Sequence, residues 1–258
     1  METISYKKID GIGIIALNRP EVRNAINFKM MDELEGSLQQ AWKDHEVKVI
    51  VITGEGEKAF AAGGDLQEFH GLKTKNEALV MLKRMSGILS SIERSPKPII
   101  AGINGVAVGG GCELALACHI RLCSEHAKLG FVQIGLGITT GWGGGTRILH
   151  KLGLSKGLTL LLTGEVIKAE KALQMGLVDE VFPADHFLEH LIEFAKKISQ
   201  HPLQSILAYM KIVKQMGQGT NFEELKEMEI DQCATLWETP IHHHEVERFL
   251  AEKIPDRV

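Results

Sequence analysis

Apolar positions recur with two different periods along this chain, and the changes of period mark its elements. Two short apolar runs, residues 4–10 and 12–17 around Gly11, predict a β-hairpin. Asn18, Arg19 and Pro20 close its second strand. Asn27 then stands as an N-cap before residues 28–43, where Met30, Met31, Leu34, Leu38 and Trp42 fall at helical spacing. The β-branched run 47–53, ended by Gly54, predicts a buried strand. The order β-β-α-β opens an α/β layered fold.

Residues 77–94 carry a helical pattern, broken by Ser95, Pro96, Lys97 and Pro98. The apolar run 98–103 predicts a second buried strand, 120–124 a third, and 128–131 a short extended piece. Helices are expected at 112–118, about 146–152, 155–162 and 169–175, with 176–183 extended. From Asp185 onward the pattern is all helix, at about 187–200, 202–216, 222–237 and 241–253. The expected organisation is therefore an α/β core over residues 1–200 and a helical region over 201–258. No internal repeat or low-complexity tract interrupts it.

Composition narrows the class. Hydrophobic content of 44% and charged content of 24% are those of an ordinary globular protein. A net charge of −4 leaves no basic footprint for nucleic acid or an anionic membrane. No apolar run is long enough to span a bilayer, and METISYKKIDG carries no basic-then-apolar leader. Cys112, Cys118, Cys123 and Cys233 lack metal or disulfide-framework spacing, so reduced, mostly buried thiols and a cytoplasmic location are expected. His242, His243 and His244 are consecutive on a helix and point apart, so no metal site is expected from them. The charge run 223–229 is a solvated helical face.

Chemistry concentrates in residues 97–121, KPIIAGINGVAVGGGCELALACHIR. A strand meets Asn104-Gly105, then Gly109, Gly110 and Gly111, then an apolar helix. Glycines at a helix start let another molecule approach outward-pointing N–H groups. Glu113, three residues after Gly110, shares its helix face. One segment thus offers an oxyanion donor and, beside it, a carboxylate in apolar surroundings. A second small-residue loop, 61–64, precedes Asp65, an expected helix cap. Gly135, Gly137 and Gly141 lack the spacing and the preceding strand of a dinucleotide fingerprint.

Four ordered motifs, LNRPEVRNAI, AFAAGGDLQEF, NGVAVGGGCELALAC and GLGITTGWGGGTR, followed by LTGEVIKAEKALQMGLVDEV, resemble the enoyl-CoA hydratase/isomerase, or crotonase, superfamily over nearly the whole chain. The resemblance implies a crotonase-like α/β spiral of β-β-α units whose C-terminal helices form a trimer or a dimer of trimers. It implies an acyl-CoA substrate that carries its own coenzyme A, with no separate cofactor. Gly64 and Gly110 match the oxyanion-hole positions, and Glu113 matches one of the two catalytic glutamates. Arg23 and Ala25 resemble groove-lining residues for CoA. Ala62, Asp65 and Leu66 match a loop that contacts it, and Phe249 and Lys253 match positions that reach a neighbour's CoA. Gly141 matches the glycine near the reacting water.

Two positions depart from the pattern. The second glutamate falls at Gln133, which can hold a water but cannot transfer its proton. Trp142 stands where hydratases carry something small. The leading expectation is hydration of a 2-enoyl-CoA on Glu113, with Gln133 orienting the water. The alternative is decarboxylation of a methylmalonyl- or ethylmalonyl-type CoA, which needs no second carboxylate. Thioester hydrolysis, double-bond isomerisation and a non-catalytic RNA-binding role rank lower, the last because nucleic-acid affinity rests on basic patches.

Overall fold

A computed structural model describes residues 2–252. The chain opens with β1 (Ile4–Ile9) and β2 (Ile12–Leu17), paired antiparallel. Asp10 and Gly11, at φ 49° and 80°, supply the two positive φ angles that a two-residue hairpin turn requires. Helix α1 (Phe28–Lys43) starts where expected, and the Asn27 side chain accepts from the Met30 N–H at 2.9 Å. Strands β3 (Val49–Gly54) and β4 (Ala59–Ala61) follow, then a four-residue α2 (Leu66–Phe69) and α3 (Lys75–Glu93). A capping box between Thr74 and Glu77 begins α3 two residues before the pattern suggested.

The next turn of chain is β5 (Ile99–Ile103), β6 (Val106–Val108) and α4 (Gly110–Ala117). After it come β7 (Ile120–Ser124), β8 (Lys128–Gly130), a 3-10 turn over Val132–Leu136, α5 (Gly144–Leu152) and α6 (Leu154–Thr163). Strand β9 (Val166–Lys168), α7 (Ala169–Met175) and β10 (Glu180–Phe182) lead into α8 (Phe187–Ser199). Helices α9 (Leu203–Gly217), α10 (Phe222–Trp237) and α11 (Pro240–Glu252) complete the described chain.

From β3 to β8 successive strands alternate between two sheets. The larger has the order β1-β2-β3-β5-β7-β10 and is parallel from β2 onward. The smaller has the order β4-β6-β8-β9, with only β9 antiparallel. Between β3 and β8 each passage of the chain adds one strand to each sheet, which makes the α/β spiral of β-β-α units. Alternating residues of the larger sheet serve two cores. Ile15, Leu17, Ile50, Ile52 and Ala101 face the main core, with Met30, Leu34, Leu89 and Leu114 from the helices. Ile12, Ile14, Val49, Val51 and Ile100 face α8 through Phe187, Leu191 and Ala195.

Three expectations are corrected. Residues 59–61, 106–108 and 166–168 are strands that the sequence pattern does not assign, with Ala61 expected in the 61–64 loop; each is three residues long, too short for a period of two to show. Helix α4 begins at Gly110 rather than Cys112, so Gly110 is its first residue. Residues 47 and 48 precede β3, and of 176–183 only 180–182 form a strand.

Cys112, Cys118 and Cys123 are buried free thiols, pushed up to about 12 by burial, while Cys233 is exposed. The 223–229 run is mostly exposed on α10, as its pattern suggested, and His242 stacks obliquely on Trp237.

The end of β4 and the start of α4 meet at glycine. A Cβ on Gly111 would lie 2.0 Å from the Ala61 carbonyl oxygen, and one on Gly63 would lie 3.0 Å from the Gly110 nitrogen. Neither obstacle is the end of a flexible side chain. Gly111→Ala is therefore expected to destabilise the fold by about 3 kcal/mol, the upper end of overpacking effects, measured by urea unfolding.

Candidate active site

The site forms where the loop after β4 faces the start of α4. Residues 23–26 run beside that loop. The Ala62 N–H donates to the Arg23 carbonyl at 2.9 Å, Ile26 N–H to Gly63 at 2.8 Å, and Asp65 N–H to Ile26 at 2.9 Å. This pairing lays Arg23 and Ala25 alongside Ala62 and Gly64. Asn24, at φ 56° and fully buried, anchors the turn by donating to the Ala59 carbonyl at 2.8 Å.

Asp65 caps α2, accepting from the Gln67 and Glu68 N–H groups, and also pairs with Arg19 at 2.7 Å. Burial works against its charge, yet Arg19 and the backbone donors hold its carboxyl below the ordinary value. Leu66, 62% exposed, opens the same face to solvent. Among the described residues, neither the Gly64 N–H nor the Gly110 N–H donates to a protein acceptor. Gly63 abuts the Gly110 nitrogen, so the two unused donors lie on facing loops.

Glu113 sits in the first turn of α4 with 2% of its surface exposed. Its Oε2 accepts from the Trp142 N–H at 2.8 Å and the Gly144 N–H at 2.7 Å. Its Oε1 accepts from Gln133 Nε2 at 2.9 Å. Of these three donors Oε2 takes two and Oε1 one. Gly144 is the first residue of α5, whose N-terminus favours negative charge. Burial raises the Glu113 pKa above the usual carboxylate value, and the N–H groups of Gly144, Trp142 and Gly141 with the Gln133 amide pull against it without cancelling it.

The Gln133 Oε1 is buried and has no hydrogen-bond partner among the described residues. Gly141 meets Leu82 of α3, where a Cβ would lie 2.5 Å from Leu82 Cδ2.

The structure thus brings Gly64, Gly110, Glu113, Gln133 and Gly141 together, with Arg23, Ala25, Ala62, Asp65 and Leu66 along one side. Phe249 lies on α11 and is half-exposed. Lys253 lies outside the described residues. The backbone donors at Trp142 and Gly144 were not anticipated. Their signal was present in WGGGTR, where glycines open a helix and leave N–H groups unpaired. Among the described residues no cluster of His, Cys, Asp or Glu could hold a metal ion, and no helix is long and apolar enough to cross a membrane.

A family profile described as enoyl-CoA hydratase/isomerase matches residues 7–254. The chain is 35% identical over 243 residues to the 2,3-dehydroadipyl-CoA hydratase of Escherichia coli K12, covering 94% of this chain and 93% of that one. It is 35% identical over 203 residues to the short-chain-enoyl-CoA hydratase of Clostridium acetobutylicum, covering 77% and 76%. Among solved structures, an enoyl-CoA hydratase from Bacillus anthracis superposes with a TM-score of 0.91 at 30% identity, covering 98% of both chains.

The Glu113 environment makes a direct prediction. Carboxyl-selective NMR titration should place its midpoint above 4.5, and Gln133→Met should raise it further, because the lost amide donor stabilises only the ionised form. A midpoint unmoved by Gln133→Met would contradict this account of the hydrogen bond.

Proposed function

The chain belongs to the enoyl-CoA hydratase/isomerase family, and from that premise we propose that it is a lyase adding water across the double bond of a 2-enoyl-CoA. The observation that carries this reading is the buried Glu113 carboxylate, held by oriented donors, beside the N–H groups of Gly64 and Gly110, which have no protein acceptor among the described residues.

In this scheme the thioester oxygen accepts from Gly64 and Gly110. Glu113 takes one proton from water as the water oxygen bonds to C3, and the electron pair of the double bond moves onto the thioester as an enolate. Glu113 then returns the proton to C2 and the carbonyl re-forms, so that H and OH are added and the carboxylate is regenerated. The two N–H groups act where charge develops, and losing one such donor typically costs about 3–4 kcal/mol. Gln133 Nε2 holds Glu113, and its unpartnered Oε1 accepts the other hydrogen of the water. A single carboxylate thus serves both proton transfers.

Coenzyme A arrives with the substrate and lies along Arg23, Ala25, Ala62, Asp65 and Leu66, with Phe249 and Lys253 reaching the CoA of a neighbouring subunit. A trimer or dimer of trimers is supported by exposed apolar residues on α9 and α10, namely Tyr209, Met216, Phe222, Ile230 and Trp237. The buried free thiols support a reducing, cytoplasmic setting.

One observation favours a second reading. The neutral Gln133 supplies no second proton-transfer group, and decarboxylation of a malonyl-type CoA needs none, because loss of CO2 leaves the enolate electron pair behind. Crotonyl-CoA turnover, followed by loss of the conjugated-thioester absorbance, separates the two. Hydration by wild type, a fall of at least about 100-fold in Glu113→Gln and a gain in Gln133→Glu are expected. A wild type inert on crotonyl-CoA that releases CO2 from methylmalonyl-CoA would replace the first reading with the second. Light scattering should give three or six times the mass of one chain, and a monomer would overturn the assembly.

A further inference from the structure

Trp142 is fixed at its backbone by hydrogen bonds and at its ring by packing. Its N–H donates to Glu113 and its carbonyl accepts from Arg147 Nη1 at 2.7 Å. Arg147 is itself gripped by both carboxylate oxygens of Glu93, each at 2.7 Å. The indole, by contrast, makes one polar contact among the described residues, from Nε1–H to the Met81 sulfur at 3.4 Å. A thioether is a weak acceptor, so packing alone sets the ring's position.

The ring lies against both oxyanion glycines. A Cβ on Gly110 would come 2.0 Å from Trp142 Cζ3 and 2.6 Å from Cη2, and one on Gly64 would come 3.5 Å from Cζ2. Its far edge reaches Met81 on α3, next to Leu82, which closes over Gly141. The residue is 4% exposed. The indole therefore fills the gap between the donor loops and α3. An acyl group whose carbonyl sits on Gly64 and Gly110 has Glu113 and Gln133 on one side, so its tail must run into this gap.

We infer that the Trp142 indole sets the upper size of the acyl group, so that the site takes short acyl-CoA thioesters and excludes long ones. A tail longer than crotonyl must push the indole off Gly110 and Gly64, into space already taken by Met81, Leu82 and Phe69. One methylene more or less in such a pocket changes kcat/KM by about 10- to 200-fold. Fixing the backbone while leaving the ring free to be replaced means that the size limit can change without removing the donor that holds Glu113. The inference rests on the hydratase reading for the reaction that reports it, but not for the slot itself.

The test compares crotonyl-CoA with trans-2-decenoyl-CoA in wild type, Trp142→Phe and Trp142→Ala, with folding checked by circular dichroism. Wild type should prefer crotonyl-CoA by at least about 100-fold in kcat/KM. Trp142→Ala should narrow that ratio at least tenfold, and Trp142→Phe should narrow it less. Calorimetric binding of butyryl-CoA and decanoyl-CoA, which cannot be hydrated, reads the slot independently of the reaction.

A decanoyl/butyryl preference that shifts in Trp142→Ala while wild type hydrates nothing would refute the hydratase reading and uphold the size limit. Unchanged ratios in both turnover and binding would overturn the size limit with hydration intact. If Trp142→Ala fails to fold, an unchanged ratio in Trp142→Phe overturns it equally.

Discussion

A carboxylate buried to 2% exposure must be surrounded by donors or give up its charge, and the arrangement around Glu113 follows from that constraint. Its three close donors come from two separate stretches, the turn after β8 and the 142–144 loop that opens α5. Leaving such a group unpaired would cost several kcal/mol. The path of the chain from 131 to 147 is thus tied to a helix that begins at Gly110. The donors do not cancel burial, and the carboxyl stays above its ordinary pKa. A base of raised pKa that is still held by oriented N–H groups suits a group that takes a proton and gives it back.

The smaller sheet performs the positioning. Its strands are three residues long and their ends lie almost in contact, which is why the sequence there is Ala, Ala, Gly, Gly on one side and three glycines on the other. Side chains at Gly63 or Gly111 would hold the loops apart. With the side chains gone, the N–H groups of Gly64 and Gly110 are left without a protein acceptor among the described residues. The small residues thus serve packing and chemistry for one reason, the close approach of backbone to whatever lies above it.

Trp142 plays two separable structural parts, its backbone holding Glu113 and its ring filling space beside Gly110. Any residue except proline would supply the N–H that Glu113 needs. Only a large ring fills the space between Gly110 and Met81. Gln133 divides in the same way, its amide nitrogen spent on Glu113 and its oxygen left without a partner.

Local physics was legible in the chain alone. The hairpin around Gly11, the limits of α1, the caps at Asn27 and Asp65 and the buried strands depend on interactions within a few residues, and all were found close to where expected. The juxtaposition of Gly110 with Glu113 was legible for the same reason, since one turn of helix relates them. The pairing of Arg19 with Asp65, 46 residues apart, the three short strands, the two N–H donors on Glu113 and the place of the indole were not. These depend on how successive turns of the spiral stack, and that register is set by the packing of two sheets and several helices at once. The sequence by itself determined the local elements and which groups are available for chemistry. The tertiary structure alone decided which of those groups meet and how much room they leave, because distances across the spiral are fixed by side chains tens of residues apart rather than by any local preference.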